Sequence, residues 1–228
     1  MGMKTRMLLG VLGGLAAGCA GSNDAVAPPD GPIQRDAPAP EWVELFNGRD
    51  LTGWEQRGGQ ASYSVQDGCI VGASRPNQPN SFLCTTAEFG DFELELDFKA
   101  DDGANSGIQF RSLSLPEYQK GRVHGYQAEI DTGERAWTAG IYDEGRRGWL
   151  APLDTNPDAR AAYRHNEWNH VKIVAVGDRL CTWLNGVPAA HLHDSMTARG
   201  FIALQVHDVG GRQDELRVCW KNLRLKPL

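Results

Sequence analysis

The chain has 228 residues, 41% hydrophobic and 23% charged, which is enough for one folded domain of sandwich or α/β size but not for two large ones. With 27 Gly, 12 Pro and 7 Trp it favours turns and strands, and it excludes a helical bundle, a coiled coil and a polytopic membrane protein. A net charge of −6 leaves no basic footprint for nucleic acid.

Lys4 and Arg6 precede an apolar run from Met7 to Ala17, too short to cross the roughly 30 Å core of a bilayer as a helix. The run ends in Leu15-Ala-Ala-Gly-Cys19, and small residues before a Cys resemble the lipobox of bacterial lipoproteins. That resemblance implies a signal peptide over 1–18, lipidation of Cys19, and membrane attachment through the lipid alone. Ala20 stands where an Asp would mark inner-membrane retention, so the expected location of the exported protein is the outer membrane. Residues 21–40 are rich in Pro, Ala and Gly and hold no aromatic side chain. They cannot bury a core, so residues 19–40 read as a lipidated Cys and a disordered tether before a domain over 41–228. In an oxidising compartment Cys69, Cys84, Cys181 and Cys219 permit two disulfides in three connectivities. Cys69–Cys84 and Cys181–Cys219 are the expected pairs, with four buried thiols as the alternative. No Cys-x-x-Cys occurs, so neither a redox motif nor a structural zinc cluster is supported.

From Glu41 the chain alternates with period two. Phe92, Leu94, Leu96 and Phe98 face one way, and Glu93, Glu95 and Asp97 the other, which a helix would scatter. The acidic set reads as a solvated outer face. Ile108 and Phe110 alternate with Gln109 and Arg111, and Ala128 and Ile130 with Gln127, Glu129 and Asp131. Pro157–Arg164 is the one helical candidate. Val171 and Ile173 alternate with Lys172 and Val174. Ile202, Leu204 and Val206 alternate with Ala203, Gln205 and His207, and Leu216, Val218 and Trp220 with Arg217, Cys219 and Lys221. Turn signals at Asn47-Gly48, Asp67-Gly68, Asp102-Gly103, Gly177-Asp178, Asn185-Gly186 and Gly210-Gly211 separate the runs. Such strands pack as an all-β, two-sheet sandwich, here a jelly roll.

Several stretches together resemble the 3-keto-disaccharide hydrolase domain family. They are Leu45-Phe-Asn-Gly-Arg-Asp-Leu-Thr-Gly-Trp54, Asn105-Ser-Gly-Ile-Gln-Phe-Arg111, and Gly125-Tyr-Gln-Ala-Glu-Ile-Asp131 followed by Ala139-Gly-Ile-Tyr142. Glu167-Trp-Asn-His170, Trp183-Leu-Asn-Gly186 and Gly200-Phe-Ile-Ala-Leu-Gln-Val-His207 close the pattern. The resemblance implies a concanavalin A-like jelly roll acting on sugars, often glycosides oxidised at carbon 3.

The polar side of the strands carries the candidate chemistry. Gln109 and Arg111 share one face, Gln127, Glu129 and Asp131 another, and Gln205 and His207 a third. Sugar recognition needs such hydrogen-bonding groups and an aromatic platform, for which Trp137, Tyr142 and Trp149 are placed in one loop. Asn105 and Arg146 complete the substrate-binding candidates. A ketone at carbon 3 acidifies the C2 hydrogen. A base (Glu129 or His207, with Asp131 beside them) removes it, and a cation such as Arg111 or a metal holds the ketone oxygen. Glu129, Asp131 and His207 are also the expected ligands if a divalent metal ion is the cofactor. Two other readings compete. Glu129-Ile-Asp-Thr-Gly-Glu134 resembles the catalytic strand of glycoside hydrolase family 16, which implies a retaining β-glucanase with Glu134 as acid/base. The non-enzymatic reading is a lectin-like carbohydrate-binding module.

Overall fold

The computed structural model describes residues 41–228. The expected signal peptide over 1–18, the expected lipidation at Cys19 and the expected tether to residue 40 lie outside the described residues. The strands in chain order are β1 Val43–Glu44, β2 Trp54–Gly58, β3 Ser62–Gln66, β4 Cys69–Ala73 and β5 Ser81–Thr85. There follow β6 Phe92–Ala100, β7 Asn105–Leu113, β8 His124–Asp131, β9 Ile141–Glu144 and β10 Gly148–Ala151. After the helix α1 Pro157–Ala161 come β11 Asn169–Val176, β12 Arg179–Leu184, β13 Val187–His193, β14 Phe201–Val206 and β15 Arg217–Pro227. The first sheet runs β13-β12-β11-β6-β15-β4-β3, with β1 on β15, and the second runs β10-β9-β8-β7-β14-β5-β2. Two antiparallel sheets face to face make the jelly roll that the alternation predicts. No helix among the described residues is long and apolar enough to cross a membrane.

The core forms where the inward rows of the two sheets meet. Phe92, Leu94, Leu96 and Phe98 of β6 are fully buried, as are Ile108 and Phe110 of β7 and Ala128 and Ile130 of β8. Each buried branched or aromatic side chain contributes about 1.5–3 kcal/mol relative to exposure. The acidic outer row of β6 is paired rather than merely solvated. Lys172 pairs with Glu93, Arg224 with Glu95 at 2.6 Å, and His170 Nδ1 lies 2.8 Å from Asp97. The helix is shorter than predicted. Asn156 caps it by accepting from the Ala159 amide at 3.1 Å, and it ends at Ala161.

The sheet order corrects the first of two expectations. All four cysteines are free. Cys69 and Cys84 sit on β4 and β5, in different sheets, while β11 and β6 stand between the strands of Cys181 and Cys219. Neighbouring strands are about 4.8 Å apart, so neither pair reaches disulfide geometry.

Arg111 is the second correction. The period of two breaks between Phe110 and Leu113, and Arg111 takes a left-handed φ of 45° at that bulge. Its side chain therefore leaves the face shared by Gln109 and runs to the first sheet's flank. Nε donates to Gly90 O at 2.8 Å, one terminal NH2 to Gly177 O at 2.6 Å, and the other to Asp91 Oδ1 at 2.7 Å. It is wholly buried and locks two turns together. Arg111→Met, which strands both carbonyls without a donor, is expected to lower unfolding free energy by about 2–4 kcal/mol in urea denaturation.

Candidate active site

The outer face of the second sheet holds a hollow of about 500 Å³, within the ~300–1,000 Å³ common for small-ligand sites. Strand register assembles it. Glu129 on β8 lies opposite Gly107 on β7, and Gly107 opposite Gln205 on β14. One row along, Gln127 faces Gln109 on one side and Tyr142 on the other, and Tyr142 faces Trp149 on β10. Asp131 faces Asn105, and His207 follows the last residue of β14.

Glu129 lies on the floor, 4% exposed. Asn105 Nδ2 donates to its Oε1 at 2.7 Å and Gln127 Nε2 to its Oε2 at 2.8 Å. Burial raises its pKa to about 7, against the lowering effect of those two donors and of the Arg135 charge. Behind it runs a chain of amides. Gln109 Nε2 donates to Gln127 Oε1 at 2.5 Å, and Ser112 Oγ donates to Gln109 Oε1 at 2.7 Å. The chain depends on Gly107. A Cβ there would sit 2.3 Å from Gln127 Cδ. Gly107→Ala is thus expected to displace Gln127 from Glu129 and remove a donor that favours the carboxylate. The acid limb of the pH–rate profile then moves to higher pH, with about a tenfold loss of rate at pH 6.

Arg135 supplies the cation that Arg111 does not. It stacks over Trp137 at 5.1 Å and Trp149 at 4.9 Å, with one terminal NH2 3.6 Å from Glu129 Oε1. Asp131 holds it: Oδ2 accepts from Arg135 Nε at 2.7 Å and from the Trp137 amide at 3.2 Å, and Oδ1 from the Gly133 amide at 3.1 Å. Trp137, Trp149 and Tyr142 meet edge to face, with ring centres 4.7 and 5.2 Å apart, and form one aromatic wall.

The structure thus brings Glu129, His207, Asn105, Gln127, Tyr142 and Trp149 to one hollow. Gln109 is buried beneath it and reaches Glu129 only through Gln127. Gln205 is fully buried, so it offers no atom to the surface of the hollow. Asp131 is turned into its own loop. Arg146 is a correction: it bonds Asp143 Oδ1 at 2.7 Å and Thr197 Oγ1 at 2.6 Å, away from the hollow. Glu134, the acid/base of the glucanase reading, is exposed beyond the end of β8 and does not line it. Glu129, Asp131 and His207 do not gather as metal ligands. Among the described residues no group of three or more His, Cys, Asp or Glu is placed to hold an ion. Asp131 is taken up by Arg135, and His207 Nδ1 lies 2.7 Å from Asp208 O. Asn80, Arg122, Glu144 and Arg135 also line the hollow, and no motif or alternation marks them in the sequence. Arg135 sits in a non-repetitive loop, where its spacing from Asp131 and Trp137 was the only available signal.

Residues 41–226 match the model of a family described as a 3-keto-alpha-glucoside-1,2-lyase-like domain. A 3-keto-disaccharide hydrolase of Bacteroides thetaiotaomicron is 29% identical over 169 residues, 62% of this chain and 55% of that protein. The levanase of Bacillus subtilis is 26% identical over 162 residues, 70% of this chain and 21% of the levanase. The chain therefore spans only about a fifth to a half of these relatives. A Parabacteroides distasonis protein provisionally named a glycosyl hydrolase superposes with a TM-score of 0.59 at 19% identity, over 82% of this chain and 94% of that one. The carbohydrate-binding module CBM66 of Bacillus subtilis gives 0.56 at 22%, over 77% and 96%. At these identities the structural likeness shows the fold alone.

Proposed function

The chain belongs to the 3-keto-alpha-glucoside-1,2-lyase-like domain family, and from that premise we propose that it cleaves glycosides oxidised at carbon 3, by elimination across C1 and C2 followed by addition of water. The observation that carries this reading is Glu129. It is a buried carboxylate with a pKa of about 7, open to a hollow and 3.6 Å from a guanidinium. A site that only binds sugar hydroxyls gains most from a fully ionised acceptor. A proton-transfer site gains from a group that titrates near the working pH.

The sugar ring stacks on Trp149 and Tyr142, with its C3 ketone toward Arg135. Glu129 takes the C2 proton as the ketone oxygen becomes an enolate beside the guanidinium. The enolate collapses to a C1–C2 double bond, and the C1–O electron pair leaves with the aglycone. His207, on the rim, supplies the aglycone oxygen with its proton. Water then adds at C1 and a proton returns to C2, giving the free 3-keto sugar. Export and lipidation at Cys19 would place this reaction on substrate outside the cytoplasm.

The likeness to CBM66 and the partial match to the levanase favour one other reading, a module that binds sugar without cutting it. Incubation with a 3-keto-disaccharide and with its unoxidised parent separates the two. Release of sugar from the oxidised compound alone supports the lyase. Binding of either compound with no release supports the module.

A further inference from the structure

Past His207 the hollow continues into a second one of about 680 Å³, which shares Asn80, Arg122, Glu144 and His207 with the first. Strand register puts Glu144 there. It stands two residues beyond Tyr142 on β9, on the same face, opposite Gly125 of β8. Its side chain is only 8% exposed, and Arg122 donates to Oε1 at 3.2 Å. Oε2 has no hydrogen-bond partner among the described residues, yet it is not sealed from solvent, so it opens to the hollows. A carboxylate held this deep is costly unless its second oxygen also finds a donor.

The neighbouring donors are held in place. Gly145 of the β9–β10 turn takes a φ of 67°, and a Cβ there would lie 3.2 Å from Arg122 Nε, so the turn leaves room for the half-exposed guanidinium. Asn80 Oδ1 accepts from the Asp208 amide at 2.9 Å, which fixes the orientation of the side chain. Asn80 Nδ2 is unpaired among the described residues and, like Glu144 Oε2, is not sealed from solvent. The open acceptor of Glu144 and the donors of Arg122 sit side by side, a pattern that two hydroxyls on adjacent carbons satisfy together. The apolar residues of the wall, Phe82 and Val123, are 3% and 1% exposed. They offer no face to a bare hydrocarbon, which would also cut Glu144 Oε2 off from water without giving it a donor.

We propose that the second hollow is a leaving-group subsite for a second sugar ring, in which Glu144 Oε2 accepts from one hydroxyl while Arg122 and Asn80 donate to its neighbours. The inference rests on the cleavage reading of the first hollow. The glycosidic oxygen then falls near His207, where the two hollows join. The preferred substrates are 3-keto-disaccharides, and 3-keto-glycosides whose leaving group carries no further hydroxyl are poor ligands.

The test compares glucosyl 3-keto-glucoside with cyclohexyl 3-keto-glucoside, whose leaving ring has the same size but no free hydroxyl. Calorimetric titration into Glu129→Gln reads binding with turnover suppressed. The glucosyl compound is expected to bind at least about tenfold more tightly. Glu144→Leu and, separately, Asn80→Asp, each added to that variant, should reduce the preference about fivefold. Asn80→Asp keeps the acceptor for the Asp208 amide and covers a poorly folded Glu144→Leu. Equal binding of the two compounds, with release of sugar from the glucosyl one by the wild type, overturns the subsite and leaves cleavage standing. A preference that survives both substitutions overturns it too. No release by the wild type, with a preference that is present and lost in the variants, overturns cleavage and leaves a two-ring sugar-binding site.

Discussion

Glu129→Gln is expected to lose at least about 100-fold in turnover of a 3-keto-glycoside while becoming more stable than the wild type at pH 8. General-base catalysis typically contributes about 10²–10⁴ in rate, and an amide cannot take the C2 proton. The stability gain follows from linkage. The carboxyl titrates near 4.5 when exposed and near 7 in the fold, so the folded state favours the protonated form. Its contribution to stability is complete below pH 4.5, is lost as pH rises through 7, and beyond that the ionised group costs about 3 kcal/mol. Gln carries no such cost. It also fits the hydrogen bonds around it. If Gln127 and Gln109 both flip, every donor still meets an acceptor as far as Ser112. The Ser112 hydroxyl can then rotate toward Phe110 O, 3.2 Å away. Denaturation at pH 4, 6 and 8 checks this. The variant should exceed the wild type by up to about 3 kcal/mol at pH 8, with the difference vanishing near pH 4. A variant less stable at every pH would mean that Glu129 is held ionised as a structural acceptor and is no base.

Arg135→Ala is expected to reduce kcat by about 10²–10³, the usual loss when a group that stabilises a developing oxyanion is removed. A second signature separates this from simple loosening of the loop. The Arg135 charge lowers the Glu129 pKa, so its removal must raise that pKa, and the acid limb of the kcat profile must move to higher pH. Arg135 also packs over Trp137 and Trp149, so KM should rise as the platform loses its stacked partner. A fall in kcat with an unmoved acid limb would assign Arg135 to holding the loop and leave the enolate without a cation.

The jelly roll was legible because burial enforces period two. On β6 and β11 one slip of register would move the whole apolar set to the outer face, so burial alternates residue by residue as the sequence does, whereas β8, beneath the hollow, is buried on both faces. The same logic put Gln127, Glu129 and Asp131 on one face. It failed at Arg111, because a bulge adds a residue and reverses the alternation beyond it, and nothing in Phe110-Arg-Ser-Leu113 announces a bulge. Arg146 was expected at the site from its loop rather than from alternation, and there the β9–β10 turn folds the side chain back onto Asp143. Arg135 was invisible for a related reason. Its position is set by bonds to Asp131 and by two Trp faces, contacts that exist only once β8, β10 and the loop between β8 and β9 have packed. The cysteine pairs failed because sequence proximity does not give sheet order.

Removal of the C2 hydrogen by Glu129 is the step on which the proposed cleavage depends. It is tested most directly by following deuterium placed at C2 of a 3-keto-disaccharide through the reaction in ordinary water, with Glu129→Gln as the control for spontaneous exchange. The expected result is a 3-keto sugar product that has lost its deuterium in step with cleavage. A product that retains the deuterium, formed at the wild-type rate, would contradict it, because the C1–O bond would then have broken with the C2 bond intact.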